Sequence, residues 1–317
     1  MDIAITGASG FVGGALVRKH VERGDAVRVL VRDPDAAICR LPSVRIFYGD
    51  LARSETVPAD LLAGADVLYH CAAEIRDERL MEATNVRGTR ALARAASGQV
   101  RRWVQVSSAS VYGAVRSGTV TEASPLQPDS VYGRTKAEAE EAVRAAAAGG
   151  GFGVTVLRPS NIFGAGMTSN ALHKLFAAIE RGWFFPVGEP GAVMNYVHVD
   201  DVAAAAVLCA THPAAAGRTY NVSDDMPLEQ LVAIVAGELG TRPPALRLPE
   251  APLRLLASVF GLLPGIPLTH RHLDAVTTRA RYASDRIRNE LAFRPAISFE
   301  AGLRGLVRRW KLDRGDR

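Results

Sequence analysis

Short apolar, β-branched runs alternate with alanine-, leucine- and arginine-rich stretches along the first half of the chain. The runs at 3–5, 27–31, 44–48, 66–70 and 103–106 read as strands. Residues 11–23 read as a helix that Gly24 ends, and residues 80–96 as another. Glycine-free strands separated by helices pair in parallel through right-handed crossovers, which predicts a doubly wound parallel α/β sheet. Ligands of such sheets sit at the carboxyl ends of the strands, where the strand order reverses. Past about residue 164 the pattern loosens, and prolines gather at 243, 244, 249, 252, 264 and 267. The sequence therefore predicts a main domain over 1–165 and a smaller, mostly helical C-terminal lobe over 166–317. A strand at 195–199 and a helix at 201–210 are expected to return to the main sheet as a 195–212 segment. The most apolar stretch, 253–263, is broken by Arg254 and closed by Pro264 and Pro267. It falls short of the ~18–20 residues that span a bilayer and predicts a buried helix in a C-terminal cap.

Composition narrows the class without naming it. Hydrophobic residues make up 48% and charged residues 22% of the 317, an ordinary globular balance. The 38 basic against 33 acidic side chains leave a net charge of +5 with no basic block, which argues against nucleic acid. Only the end is locally basic, and Arg304, Arg308, Arg309, Lys311, Arg314 and Arg317 read as a solvated helix. Three widely spaced cysteines, Cys39, Cys71 and Cys209, exclude a disulfide framework and any CxxC metal or redox site. They suit a reducing compartment, and with no basic-then-apolar leader the expected location is cytoplasmic. No metal site is expected, because His70 and His198 lack partners at ligand spacing and read as packed strand histidines.

The first strand runs directly into Thr6-Gly7-Ala8-Ser9-Gly10-Phe11-Val12-Gly13, and a helix follows. Gly7 permits a tight turn, Gly10 lets the backbone approach a pyrophosphate, and Gly13 allows close helix–strand packing. The expected ligand is a dinucleotide. The end of the second strand selects which one. A free ribose 2′-hydroxyl asks for a carboxylate there, but the chain has Val31 and Arg32. A guanidinium pairs with a 2′-phosphate, so NADP(H) is the expected cofactor, with Arg28 adding to the field. NAD(H) stays open if Asp33 reaches back to the ribose.

Tyr132 and Lys136 lie four residues apart at the start of a helix, so they share one of its faces. Upstream, the strand at 103–106 ends in Ser107-Ser108-Ala109-Ser110. Hydroxyl, phenol and ammonium are then expected to converge at the sheet edge, with the ammonium lowering the phenol pKa.

These residues resemble the extended short-chain dehydrogenase/reductases, in their NAD(P)-dependent epimerase/dehydratase branch. The resemblance spans nearly the whole chain. It rests on the glycine turn, Gly49-Asp50-Leu51, His70-Cys71-Ala72-Ala73, Asn85-Val86-Arg87-Gly88-Thr89, Ser107-Ser108 and Tyr132 with Lys136. It continues through Arg158-Pro159-Ser160-Asn161-Ile162-Phe163-Gly164, His198-Val199-Asp200-Asp201-Val202-Ala203 and Tyr220-Asn221-Val222.

The resemblance implies a Rossmann sheet and a catalytic set of Ser108, Tyr132 and Lys136. It implies a cofactor bordered by Gly7, Gly10, Phe11, Val12, Gly13, Arg32, Asp50, Leu51, Ala72, Ala73 and Pro159, with Lys136 on the nicotinamide ribose and Asn85 supporting the backbone. Ser108, Ala109, Tyr132 and Asn161 would meet the substrate. Asp200 and Asp201 would support the sheet edge and cap the following helix. A homodimer through the helices at 80–96 and 136–148 is the expected assembly, unless their alanine-rich faces pack on the sheet.

Sugar-nucleotide 4,6-dehydratases of this family carry an Asp-Glu pair just after the active-site Ser/Thr, where this chain has Ala109 and Ser110. Neither can titrate. The expected reaction is therefore NADPH reduction of a 4-keto, 6-deoxy nucleotide sugar, possible also in N-acetylamino form, as in surface-polysaccharide synthesis. A nucleotide-sugar 4-epimerase with bound NAD and a dihydroflavonol- or hydroxysteroid-type ketone reductase are the alternatives, and a non-catalytic NADP sensor is a more distant one. UDP-galactose 4-epimerases grip the diphosphate with an arginine where this chain has Asn195, so Arg279 or Arg281 would have to serve.

Overall fold

Strand boundaries follow the apolar runs closely because the central strands are buried on both faces by helices. The structure is a computed structural model and describes residues 1–53, 57–167, 169–260 and 269–315. The first half carries β1 (Asp2–Thr6), α1 (Phe11–Glu22), β2 (Ala26–Val31), β3 (Val44–Tyr48) and β4 (Ala65–His70). After these come α2 (Glu78–Met81), α3 (Thr89–Ala96), β5 (Val100–Val106), β6 (Ser117–Val120), α4 (Val131–Ala148) and β7 (Gly153–Pro159). The second half holds β8 (Asn161–Phe163), α5 (Ala171–Glu180), β9 (Val193–His198), α6 (Val199–Thr211), β10 (Thr219–Val222) and β11 (Asp224–Pro227). It ends with α7 (Leu228–Leu239), α8 (Glu250–Phe260), α9 (His270–Thr277), β12 (Arg279–Tyr282), α10 (Asp285–Glu290) and α11 (Phe299–Gly315).

Seven strands form one parallel sheet in the order β10-β7-β5-β4-β1-β2-β3. The order reverses between β1 and β4, so the loops after these two strands flank the crevice where ligands of doubly wound sheets sit. One face is covered by α1 and α6, packed on Ile3, Ile5, Val29 and Tyr69. The other is covered by α3 and α4, packed on Leu68, Trp103 and Phe152. The alanine-rich sides of α3 and α4 thus include Ala93, Ala96 and Val143 turned onto the sheet.

The strand expected at 195–199 does not return to the main sheet. It is β9, and it pairs with β8 and β11 in a separate three-stranded sheet. The chain leaves the main sheet after β7, separated from β8 by Ser160 alone, and β9 follows β8 in parallel. The helix does return, as α6 against β5 and β7. Strand β10, unforeseen from sequence, supplies the sheet's edge beside β7. A second core, built on Phe163, Phe176, Phe299 and Leu303, fills the lobe under β8, α5, α7 and α11.

Two further expectations are corrected. The helix at 80–96 is interrupted by a wide π turn over Glu82–Gly88, which lets Gly88 press on Leu51 and Thr89 reach the Asn85 carbonyl at 2.6 Å. The apolar stretch at 253–263 is α8 on the rim of the lobe. Leu255 and Leu256 are 68% and 43% exposed, because this helix packs on α9 through one side only; 261–263 lie outside the described residues. The basic end is an exposed helix as expected: it is α11, whose Arg304 and Arg308 pair with Glu238 and whose Arg314 pairs with Glu180, while Arg317 lies outside the described residues. Among the described residues no helix is long and apolar enough to cross a membrane.

Candidate active site

Two cavities meet at the carboxyl edge of the sheet. The first, about 160 Å³, is lined by Gly7, Ser9 and Gly10 after β1, by Val31 and Arg32 after β2, and by Gly49, Asp50 and Leu51 after β3. Cys71, Ala72, Ala73 and Glu74 after β4 close it. Gly7 adopts φ +72°, and a Cβ there would stand 2.5 Å from the Ala72 nitrogen. A Cβ at Gly13 would run into the Gly7 carbonyl oxygen, so this residue allows α1 to sit tight against the turn. The N-terminus of α1 opens at Gly10 with no capping side chain, leaving its first N–H groups for an anion. A dinucleotide fits this cradle. Phe11 and Val12 are half-buried on the first turn of α1 and do not line the cavity.

Arg32 stands exposed where a carboxylate would otherwise serve a ribose, and its positive field helps hold the Glu74 carboxyl below its ordinary range. The larger cause is the Arg76 backbone N–H, which donates to the Glu74 Oε1 along with those of Ile75 and Asp77. Asp33 is committed to the Asp35 N–H at 2.9 Å. Arg28 does not add to the field as expected. Its guanidinium is tied to the carbonyls of Asp60 and Ala63 and to Asp2, at the opposite end of the strand.

The second cavity, about 580 Å³, has Ser107, Ser108, Ser110, Ser130 and Tyr132 on one wall. The Ser108 hydroxyl accepts from the Ser110 N–H at 3.1 Å and acts on the neighbouring Tyr132 phenol in the direction that lowers its pKa. Desolvation pushes Tyr132 up to about 12. The expected lowering of this phenol by Lys136 is not found: desolvation outweighs every other influence on it, and the Lys136 ammonium donates to the Val106 carbonyl at 2.6 Å. Burial brings Lys136 down to about 8, against an upward pull from Glu140. Cys71 faces the same lysine, and burial pushes its thiol up to about 12. Lys136 is buried and lines neither cavity; it lies beneath the site, against the end of β5.

Asn85 is buried behind this wall. It exchanges hydrogen bonds with the Glu74 backbone and donates to Thr135 Oγ1 at 3.0 Å, which ties the loop after β4 to the helix turn bearing Lys136. His70 is packed as expected: Nδ1 and Nε2 meet Thr6 and Thr89 hydroxyls at 2.6 and 2.8 Å, and burial pushes it down to about 3. Asp201 holds the Ala296 and Ile297 N–H groups, and the residue that caps α6 is His198, not either aspartate.

The opposite wall carries Pro159, Ser160, Asn161, Ile162, Met167, Leu172 and Tyr196, and Ile75, Arg76, Glu78 and Met81 close the mouth. Pro159 thus lines the larger cavity and not the cradle. Ala109 lies outside the lining, buried with Val111, Tyr112 and Val120. Asn161 is exposed in the wall and donates to the Asn195 carbonyl at 3.0 Å. Asn195 itself is buried and clamps β12, through the Ala280 carbonyl at 2.8 Å and the Tyr282 N–H at 3.2 Å. Neither Arg279 nor Arg281 lines the cavity; they turn to the Pro190 carbonyl and to Asp225. Arg76 is the cation among the described lining residues.

The comparison with known proteins agrees with this geometry. The family model described as "NAD dependent epimerase/dehydratase family" matches residues 3–223. The chain belongs to that family. It is an enzyme of the extended short-chain dehydrogenase/reductase type. A dTDP-glucose 4,6-dehydratase of Streptomyces griseus is 30% identical over 96% of this chain and 92% of its own. The 4-hydroxy-2-methyl-3-oxo-4-farnesyl-3,4-dihydroquinoline-1-oxide ketoreductase of Stigmatella aurantiaca is 35% identical over 72% of this chain and 70% of its own. The solved structure of MoeE5 in complex with UDP-glucose and NAD matches with a TM-score of 0.75 at 25% identity, covering 99% of each chain.

Within the epimerase/dehydratase family, what the sequence leaves unassigned is the role of the single residues at the mouth of the cavity. Ile75, Arg76, Glu78 and Met81 carry no motif, and only the turn built on Glu74 and the loop's tie to Asn85 bring them over the site.

Proposed function

We propose that the chain reduces a ketone with NADPH in a single hydride transfer, the ketone being carried on a nucleotide-linked 4-keto-6-deoxy sugar or its N-acetylamino form. One observation carries this reading: Ser108 and Tyr132 stand in the wall of the larger cavity, the buried Lys136 follows Tyr132 by one helical turn, and positions 109 and 110 hold no titratable side chain. A bound nicotinamide dinucleotide supplies a hydride to the carbonyl carbon. Tyr132, a protonated phenol at neutral pH, gives its proton to the carbonyl oxygen, and Ser108 orients that oxygen. The ammonium of Lys136 then faces the phenolate left behind. The exposed Arg32 after β2 supports NADPH over NADH. The serines of the lining, Asn161 and Arg76 support a polar, anionic substrate, as do the relatives that act on nucleotide sugars.

A second reading is favoured by a specific observation. Asn195 is consumed by β12, and Ile75, Met81, Ile162, Met167 and Leu172 give the cavity an apolar side that suits a nonpolar ketone. An NADPH-oxidation assay offering a 4-keto nucleotide sugar and a hydrophobic ketone in parallel separates the two. Turnover of the first alone supports the sugar, and turnover of the second alone replaces it. Stoichiometric NAD that resists dialysis would point instead to the 4-epimerase.

A further inference from the structure

A chain of buried hydrogen bonds runs beneath the catalytic wall. Glu140 is 2% exposed and lies one helical turn beyond Lys136 on the same face of α4. Its Oε1 accepts from Ser107 Oγ at 2.5 Å and from Arg158 Nε at 2.9 Å, and its Oε2 accepts from Arg158 Nη2 at 2.6 Å. Arg158 Nη1 donates to the Tyr112 hydroxyl at 2.9 Å, which donates to Asn221 Oδ1 at 2.7 Å. One carboxylate thereby joins the end of β5, the middle of α4 and the end of β7, with β10 reached through Tyr112. Each anchor adjoins a site residue. Ser107 precedes Ser108, Glu140 follows Lys136 by a turn, and Arg158 precedes Pro159.

Charge matters as much as shape. Lys136 donates to a carbonyl, which cannot neutralise an ammonium. The groups facing it are Tyr132 and Glu140 on its own helix and His70 and Cys71 from β4 and its exit, with Arg158 across Glu140 from β7. His70 is neutral and Cys71 is a thiol at neutral pH. Glu140 is thus the negative charge among them, shared between two cations.

We propose that Glu140 is a positioning residue for the reduction: its carboxylate locks α4 to β5 and β7 so that Ser108, Tyr132 and Lys136 keep their mutual placement, and its charge keeps Lys136 an ammonium. The kinetic part of this rests on the reaction proposed above. The charge part does not.

The test uses Glu140→Gln, which keeps the shape and removes the charge. The chain has four lysines, Lys19, Lys136, Lys174 and Lys311, so the Lys136 ammonium can be followed by NMR of lysine labelled at the ε-carbon. The expected result is a Lys136 titration about one pH unit or more lower in E140Q than in wild type. An unchanged titration overturns the charge role, and this arm needs no substrate, so it stands even if no ketone is turned over. In the kinetic arm, E140Q is expected to lower kcat about 10–100-fold with the NADPH KM within about threefold, as misplacement of reacting groups does. A kcat equal to wild type overturns the positioning role. Should E140Q fail to fold, Glu140→Asp carries the test by keeping the charge on a shorter arm. Wild-type Lys136 titration with kcat lowered about tenfold is expected, and unchanged kcat overturns the positioning role.

Discussion

Tyr132 stays a phenol at neutral pH because desolvation holds it near 12, while burial brings the neighbouring Lys136 down to about 8. The lysine is therefore the group that titrates in a working range. Its ammonium is present below about 8 and is lost above, so kcat for ketone reduction should be level toward neutral pH and fall as pH rises through about 8. A pH–rate profile that stays level to about pH 10 would count against this role for Lys136. Arg32 offers a second residue-scale test. Arg32→Ala should raise the NADPH Kd about tenfold or more and leave NADH binding unchanged, since the lost pair is to a 2′-phosphate. Equal losses for both cofactors would mean that Arg32 meets no 2′-phosphate. Arg32, Tyr132 and Lys136 were legible because each is fixed by its offset from a strand end or a helix start. Arg76 and the commitments of Asn195 were not, because they depend on which distant backbone groups the folded chain presents.

At the scale of elements, the contact between the glycine turn and its neighbours sets the cofactor cradle. Gly13→Ala would press a methyl into the Gly7 carbonyl and push α1 away from the turn. The expected outcome is a cofactor Kd raised at least about tenfold in a chain that still folds, by titration and circular dichroism. Unchanged affinity would show that α1 tolerates the shift. The first five strands were readable because each is a short run rich in β-branched and apolar residues. The three- and four-residue strands β6, β8, β10, β11 and β12 were not, because so short a run has no periodicity and its pairing lies far away in sequence. The π turn at Glu82–Gly88 hid in the same way: its sequence is helical, and the close approach of Gly88 to Leu51 that accompanies it involves another loop.

For the whole molecule, the site is a joint product of the main sheet and the lobe, since the larger cavity takes Tyr132 from α4 and Tyr196 from β9. Phe163 pins the lobe's small sheet to α11: its ring is fully buried and stands 5.2 Å from Phe299 and 6.1 Å from Tyr196. Phe163→Ala should cost about 3–5 kcal/mol of stability by denaturant unfolding, with the cavity wall loosened before the cofactor cradle. A loss under about 1 kcal/mol would mean that the lobe closes around the gap.

The account as a whole stands on proton donation by Tyr132 to a ketone reduced by NADPH. The measurement that meets this most directly is a single-turnover experiment in which loss of NADPH absorbance is followed with a 4-keto nucleotide sugar, for wild type and Tyr132→Phe side by side. The expected result is a burst in wild type and a rate about 10²–10⁴-fold lower in the variant, at equal NADPH affinity. A variant that binds NADPH and turns over at the wild-type rate would contradict it.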